Sequence, residues 1–400
     1  MSDAARRPAL LYIGGSARQA PAIAAARGAG LFVALTDRSA DAPARDHADS
    51  FHVIDAADVD GILTLADGLS AEHDLVGAYG IADYTADAIA ALCERFDLAL
   101  NSADVCRIAA DKARARTCLE DAGVPVARAC VQAPGEDRAA FAGRSAAELS
   151  FPLVVKPAAG INSRGVVTIG KPDALLLEAA ILRAGTDGPA IVEEGAAGRH
   201  INVDLVFADG TAHPLALTER YFRPGSGHVP LYGVQPPDLA APDREALHAA
   251  AAAAARAIGV GEGPVTVDLI LTASGPIVLE VSLHYHALSV TALRDQGRSL
   301  GAWFARLAGD GDWQRYLSGA PDGVGAYYYL YGDAAPADRI AAVLESVSDD
   351  PRYCAVERSS GAGDDGSPPV SAVLSLWSVH GGDIDDAIGT LGVRLAGGAS

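Results

Sequence analysis

Two carboxylates in apolar surroundings, three scarce lysines and two histidines around a tyrosine are the residues of this chain best suited to chemistry. The segment VTVDLILTASGPIVLEV (265–281) reads as two strands around a turn, with Gly275 able to supply a positive φ. With Ala273-Ser274-Gly275 as a three-residue loop, Thr272 would pair with Pro276 and Asp268 would stand opposite Glu280. Cross-strand neighbours lie about 5 Å apart at Cβ, where like charges repel. Apolar flanks add a desolvation cost. A divalent cation resolves the conflict, and an all-oxygen set suits Mg²⁺ or Mn²⁺ shared with nucleotide phosphates. Two unrelated acids on a solvated face are the alternative.

The lysines point the same way. The chain has 28 arginines but only Lys112, Lys156 and Lys171. Either coding bias left three behind, or lysine is kept where a compact ammonium is needed. Lys156 ends an apolar strand in FPLVVKPAAGINSRGV (151–166), and the loop after it holds Gly160, Asn162, Ser163 and Gly165. Such a loop can fold its amides over phosphates. It is not the Walker pattern. Downstream, IVLEVSLHYHALSV (277–290) carries His284 and His286 just beyond Glu280. The pair suits active-site lining, a transition-metal site or a structural role.

The elements that must position these groups follow from pattern. In the first hundred residues strands and helices alternate (ALLYIGG, LFVALTD, FHVID, LVGAYG), the rhythm of a parallel sheet. Gly14-Gly15-Ser16 sits at the first strand-to-helix turn, but no GxGxxG fingerprint follows, which argues against a dinucleotide-binding dehydrogenase. Ala103–Gly123 reads as one helix carrying Lys112, closed by Gly123 and Pro125. Strands and hairpins fill 152–281, with helices near 172–184 and 242–258; the alanine run Ala249–Ala255 is helix-favouring and is given no function. Later come AYYYLY, a helix at 337–346, the loop SSGAGDDGSPP (359–369) and a last helix near 384–390.

Composition sets limits. Four hundred residues imply more than one domain. A net charge of −20 argues against nucleic acid. No run of about 18 uninterrupted apolar residues argues for a membrane span. The start MSDAARRPALLYIGG lacks a signal peptide's apolar core, and the five cysteines form no even framework, so a cytoplasmic protein with reduced thiols is expected.

In order, DKARARTCLEDAGVPV, VVKPAAGINSRGV, IVEEGAAGRHINVDLVF and VTVDLIL with IVLEVS resemble the ATP-grasp superfamily over roughly 103–300, most closely its carboxylate–amine ligase (L-amino acid ligase-like) branch. The resemblance implies a mixed α/β and α+β multidomain chain. An N-terminal parallel α/β domain (1–102) would precede ATP-grasp lobe A (103–190), lobe B with the metal and substrate site (191–310) and a small C-terminal α+β subdomain (311–400). Lys112 and Lys156 would contact ATP phosphates, 160–165 would be the lid, and Glu193, Glu194 and Ala196 would lie at the adenine hinge. Asp268 and Glu280 would hold Mg²⁺ or Mn²⁺. The activity implied is amide formation between a carboxylate and an amine through an acylphosphate, with ADP released; a biotin- or purine-type carboxylase and a non-catalytic ATP binder are the alternatives. Small-molecule substrates, no nucleic acid, no membrane and possibly a homodimer complete the expectation.

The sequence departs from the family where the second metal strand usually reads E-x-N-P-R. Glu280, Ser282 and His284 stand there, so Ser282 would be the third, weaker metal ligand. A histidine cannot clamp a carboxylate in two-pronged fashion as arginine can. Either Arg220 or Arg294 then takes the anion, or the substrate presents something different at that point. His200 stands where ligases of this branch often carry an acidic residue for the ribose. LTERYFRPGSGHVPLYGVQPP (217–237) corresponds to the substrate segment, with Arg220 or Arg223 for an acid group and His228 to orient or deprotonate an amine. A polar surface loop is the other reading of that stretch.

Overall fold

The computed structural model of the chain describes residues 6–81, 83–98, 100–160, 165–224, 229–285, 300–317, 323–333, 335–347, 352–358, 370–378 and 381–396. Asn162, Ser163, His228, His286 and Arg294 lie outside them, as does the 359–369 loop. Strands β1 (Pro8–Ile13), β2 (Phe32–Asp37), β3 (Ser50–Val53) and β4 (Asp74–Tyr79) form a parallel sheet in the order β3-β2-β1-β4. Helices α1 (Ala20–Gly28) and α2 (Val59–Glu72) are its crossovers, and α3 (Ala86–Arg95) follows β4. Burial on both faces explains the unbroken apolar run of β1. Where strand order reverses, between β1 and β4, a crevice opens at the strands' C-terminal ends. Gly15 lies there, but its amide already donates to Asp37 Oδ2 at 2.7 Å. A Cβ on Gly80, at the same crevice, would stand 2.9 Å from the Ile13 carbonyl oxygen.

The single helix expected over 103–123 is two. α4 (Ala103–Ala110) stops and α5 (Lys112–Asp121) starts at Asp111, which has φ −113° and ψ 102°. The Asp111 carboxylate accepts the amides of Ala113 and Arg114, the usual work of an aspartate N-cap. An uninterrupted helix would have carried Lys112 in mid-turn. The break makes it the first residue of α5, and its freed amide donates to the Ala158 carbonyl at 2.8 Å.

Next come β5 (Ala129–Val131), α6 (Arg138–Glu148), β6 (Leu153–Pro157), β7 (Val167–Ile169), α7 (Ala174–Ala184) and β8 (Ala190–Glu194). Their antiparallel sheet runs β5-β8-β6-β7. Phe141, Leu153, Val155, Leu177 and Ile181 pack it against α6 and α7.

The third sheet has eight strands in the order β13-β12-β9-β10-β11-β14-β16-β15. It is built from β9 (Arg199–Ala208), β10 (Thr211–Phe222), β11 (Pro230–Gln235), β12 (Gly263–Thr272), β13 (Gly275–Ser282), β14 (Val324–Tyr331), β15 (Tyr353–Arg358) and β16 (Val370–Ser378). One face is apolar: Val203, Leu205, Val267 and Val281 meet Leu247, Ala251 and Ala254 of α8 (Ala241–Ala257). The alanine run therefore has a packing role, since its small side chains seat the helix closely on the sheet. Helices α9 (Gly301–Leu307), α10 (Ala337–Ser346) and α11 (Gly381–Ala396) complete the chain, the last being longer than its sequence suggests. Leu10, Tyr12 and Tyr79 of the parallel sheet share one core with Val206, Leu215 and Trp303. No helix among the described residues is long and apolar enough to cross a membrane.

The hairpin of β12 and β13 departs from the expected register at its turn. Thr272 pairs with Gly275, not Pro276, so the turn is the two residues Ala273-Ser274. A bulge between Asp268 and Leu269 then shifts the register by one, which restores the expected pairing of Asp268 with Glu280.

Candidate active site

The face of the eight-stranded sheet opposite α8 is polar, and register decides what it presents. Glu280, Asp268, Asn202 and Thr218 form one row across β13, β12, β9 and β10. The adjacent row on the same face is His200, Arg220, Gly233 and Tyr327. Asn202 and Thr218 are buried at 2% and 3% exposure, so their partners matter: Asn202 Nδ2 donates to Asp268 Oδ1, and Thr218 Oγ1 to Gln235 Oε1 at 2.7 Å. Arg220 NH1 reaches Asp268 Oδ2 at 3.1 Å.

Over the Glu280 end lies a cleft of about 360 Å³, walled by α5, β6, β8 and β13. Lys112 Nζ sits between two of its walls, 2.9 Å from Glu280 Oε1 and 2.9 Å from the Gly160 carbonyl oxygen. Gly160 and Gly165, with φ 140° and 75°, flank the glycine-rich loop in conformations few side chains tolerate. Deeper in, Lys156 Nζ is 2.9 Å from Glu193 Oε2, while Arg116 NH1 is 3.0 Å from Glu193 Oε1. Arg116 escaped the sequence reading, yet it lies four residues after Lys112 and so shares its helix face. Glu194 turns away, to Arg128 at 3.0 Å and the Ser150 amide at 2.8 Å. Ala196 follows β8, half-buried.

Ser282 pairs across the strands with Thr266, one row beyond Glu280. Among the described residues no three His, Cys, Asp or Glu side chains gather as a ready metal cage. A divalent ion on Glu280 would share its shell with phosphate oxygens and water, which is how Mg²⁺ is ordinarily held.

His284 does not line the Lys112–Glu280 cleft. It lies in the wall of a second one, of about 580 Å³, between the crevice of the parallel sheet and the hairpin. Ala78, Ile89, Leu100, Leu283 and Trp303 make that wall mostly apolar. His284 Nδ1 is 3.1 Å from the Tyr285 carbonyl oxygen, and the Tyr285 amide donates to Tyr79 Oη at 3.2 Å, which ties the hairpin's exit to β4. Arg223 is engaged with Asp333 at 3.1 Å and lies over the Tyr331 ring.

Gly233 has a reason to be glycine. A Cβ there would stand 2.4 Å from the Tyr327 ring, which crosses β11 to bring its hydroxyl beside Arg220. Gly233→Ala is expected to push the ring aside and destabilise the fold by about 1–3 kcal/mol. Urea unfolding checks it; an unchanged midpoint would show that the ring yields freely.

His200 stacks edge-on against Phe222 at 4.7 Å between ring centroids. Burial, then the nearby Arg220 charge, holds its pKa below the usual histidine range. Burial does the same to His248 and His213. The folded protein thus binds fewer protons than the unfolded chain as pH falls through 6.5, so stability is complete above that pH and declines below it. The thermal midpoint is expected to drop from pH 7 to pH 5, and His200→Gln to drop less over the same range. Equal pH slopes would remove His200 from the account.

Residues 109–282 match the family model of the ATP-grasp domain. An uncharacterized protein of Sinorhizobium fredii, y4rH, is 26% identical over 237 residues, which are 57% of this chain and 47% of that protein; the match spans about half the length of this curated relative. Among solved structures, L-amino acid ligase from Bacillus licheniformis superposes with a TM-score of 0.75 at 17% identity, covering 97% of this chain and 98% of its own. N5-carboxyaminoimidazole synthase from Aspergillus clavatus, in complex with ADP and its ribonucleotide, gives 0.76 at 15% identity over 98% and 99%. The biotin carboxylase domain of Hydrogenobacter thermophilus 2-oxoglutarate carboxylase gives 0.72 at 18% over 96% and 89%. The matched segment begins just before Lys112 and ends at Ser282, so the whole Lys112–Glu280 cleft lies within the part of the chain that matches the ATP-grasp domain.

Proposed function

We propose that the protein is an ATP-dependent carboxylate–amine ligase acting on amino-acid-like substrates. The observation that carries this is the position of Lys112, whose ammonium joins the glycine-loop carbonyl of Gly160 to the hairpin carboxylate of Glu280. Phosphoryl transfer needs cations, loop amides and a metal-holding carboxylate around one point, because catalysis there is mostly positioning and charge stabilisation. Lys112 and Lys156 would take nucleotide phosphates, and the hinge after Glu193 the adenine. Mg²⁺ on Glu280 would offset charge on the transferring group.

In the first step a substrate carboxylate oxygen bonds to the γ-phosphorus as the bond to ADP breaks. In the second, the amine nitrogen bonds to the acyl carbon, phosphate leaves with the electron pair, and the amine proton passes to a base. His228 is our choice of base, and Arg294 of anion partner. The mostly apolar cleft walled by His284 is where we place the acid's side chain, which favours small or apolar groups.

Mg-ATP turnover against amino acids, singly and in pairs, tests this directly. ADP together with an amide product identified by mass is the expected result. ADP release that depends on bicarbonate and yields no amide would move the protein to the carboxylases, whose fold superposes equally well. Nucleotide binding with no turnover on any acid would leave an ATP-binding homologue without catalysis.

A further inference from the structure

Asp268 stands where the resemblance to the ATP-grasp family implies a metal ligand, but here a side chain of the protein's own already sits on it. Its Oδ1 accepts from Asn202 and its Oδ2 from Arg220 at 3.1 Å. We infer that the Arg220 guanidinium is a built-in replacement for one metal ion, so that the protein binds its nucleotide with a single divalent cation, held through Glu280. The inference rests on the ATP reading above.

Four features fix Arg220 in that place. Its side chain is only 14% exposed. The Phe222 ring lies 5.4 Å from its guanidinium carbon. The Tyr327 hydroxyl stands beside it, reached across a strand position that only glycine leaves open. His200, its cross-strand neighbour, has its pKa lowered by burial and then by the Arg220 charge, which disfavours a second positive charge beside Arg220.

A guanidinium does not lose its proton in a protein, so the positive charge beside Asp268 is permanent. A divalent ion arriving on the same carboxylate would face that charge at close range in a poorly screened setting. It would also have to displace the hydrogen bond from the buried Asn202. Glu280 is different. Its partner Lys112 sits at the end of a flexible side chain, in the cleft where phosphates would draw it away. Ser282 fits the same picture, because a serine hydroxyl is a poor substitute for the second-site asparagine. One carboxylate is thus exchangeable and the other is locked.

Counting manganese tests the inference. With the non-hydrolysable analogue AMP-PNP saturating the protein, free Mn²⁺ followed by its paramagnetic resonance signal should show one ion bound per nucleotide. Two ions in the wild type would overturn the inference. Arg220→Met removes the charge and keeps the length, and is expected to bind a second ion; a count still at one would overturn the proposed role of Arg220. Should that variant fail to fold, Asp268→Asn decides. It is expected to keep its single Mn²⁺ with an affinity within about fivefold of wild type, and a larger loss would make Asp268 a true ligand. Absence of AMP-PNP binding by the wild type would sink the nucleotide reading itself, a result distinct from a count of two.

Discussion

Glu280→Gln is expected to cut ADP release by about 10³-fold or more while leaving the fold intact. Glutamine has the shape of glutamate, so β13 keeps its pairing and the bulge keeps position 280 opposite Asp268. What disappears is the one carboxylate charge in this row that no arginine holds. Without it a divalent ion loses its protein anchor, and Lys112 keeps only the Gly160 carbonyl of its two contacts named here. The side chain is 29% exposed, so the lost ion pair with Lys112 should change stability by no more than about 1 kcal/mol. A coupled assay of ADP release gives the first quantity and a thermal melt the second. A loss smaller than tenfold, with the melt unchanged, would remove Glu280 from phosphoryl transfer.

Much of this site was legible because strand register follows arithmetic. Once two strands flank a turn, counting outward pairs Asp268 with Glu280. The pairing came out as expected even though the turn is one residue shorter, because the bulge supplies the missing step. That compensation could not have been foreseen: a bulge is a choice of backbone, and neighbouring Leu269 and Val278 would be apolar in either register. The break at Asp111 is a different case. Its signal, an aspartate two and three residues before the amides it caps, stood in the sequence, but the helix-favouring residues on both sides hid it. Arg220 shows a third limit. A sequence can mark it as an anion partner without saying whether the anion is a substrate or the protein's own Asp268. That depends on Gly233 and Tyr327, which come from strands far apart in the chain and meet only when the eight-stranded sheet is assembled.

Two adjacent glutamates should respond by very different amounts to the same change. Glu193→Ala is expected to destabilise the protein by about 3 kcal/mol, because removing one member of a buried charge cluster leaves the others uncompensated. Glu193 joins Lys156 and Arg116, and all three side chains are 8–12% exposed. Arg116 keeps Glu120 at 2.9 Å and the Ala127 carbonyl, so the cost falls mainly on Lys156. Glu194→Ala should cost less than about 1 kcal/mol, since its partner Arg128 is 66% exposed and water takes the place of the carboxylate. Urea unfolding of both variants tests the contrast, and equal losses would mean that burial does not set the difference. A third variant separates charge from packing. Lys156→Met combined with Glu193→Ala removes the stranded ammonium and should recover a large part of the stability, as apolar replacement of buried ion pairs generally does. The same double variant should bind nucleotide poorly. The cluster then holds the Lys156 side chain in place at the cleft, at a cost in desolvation that an apolar core would not carry.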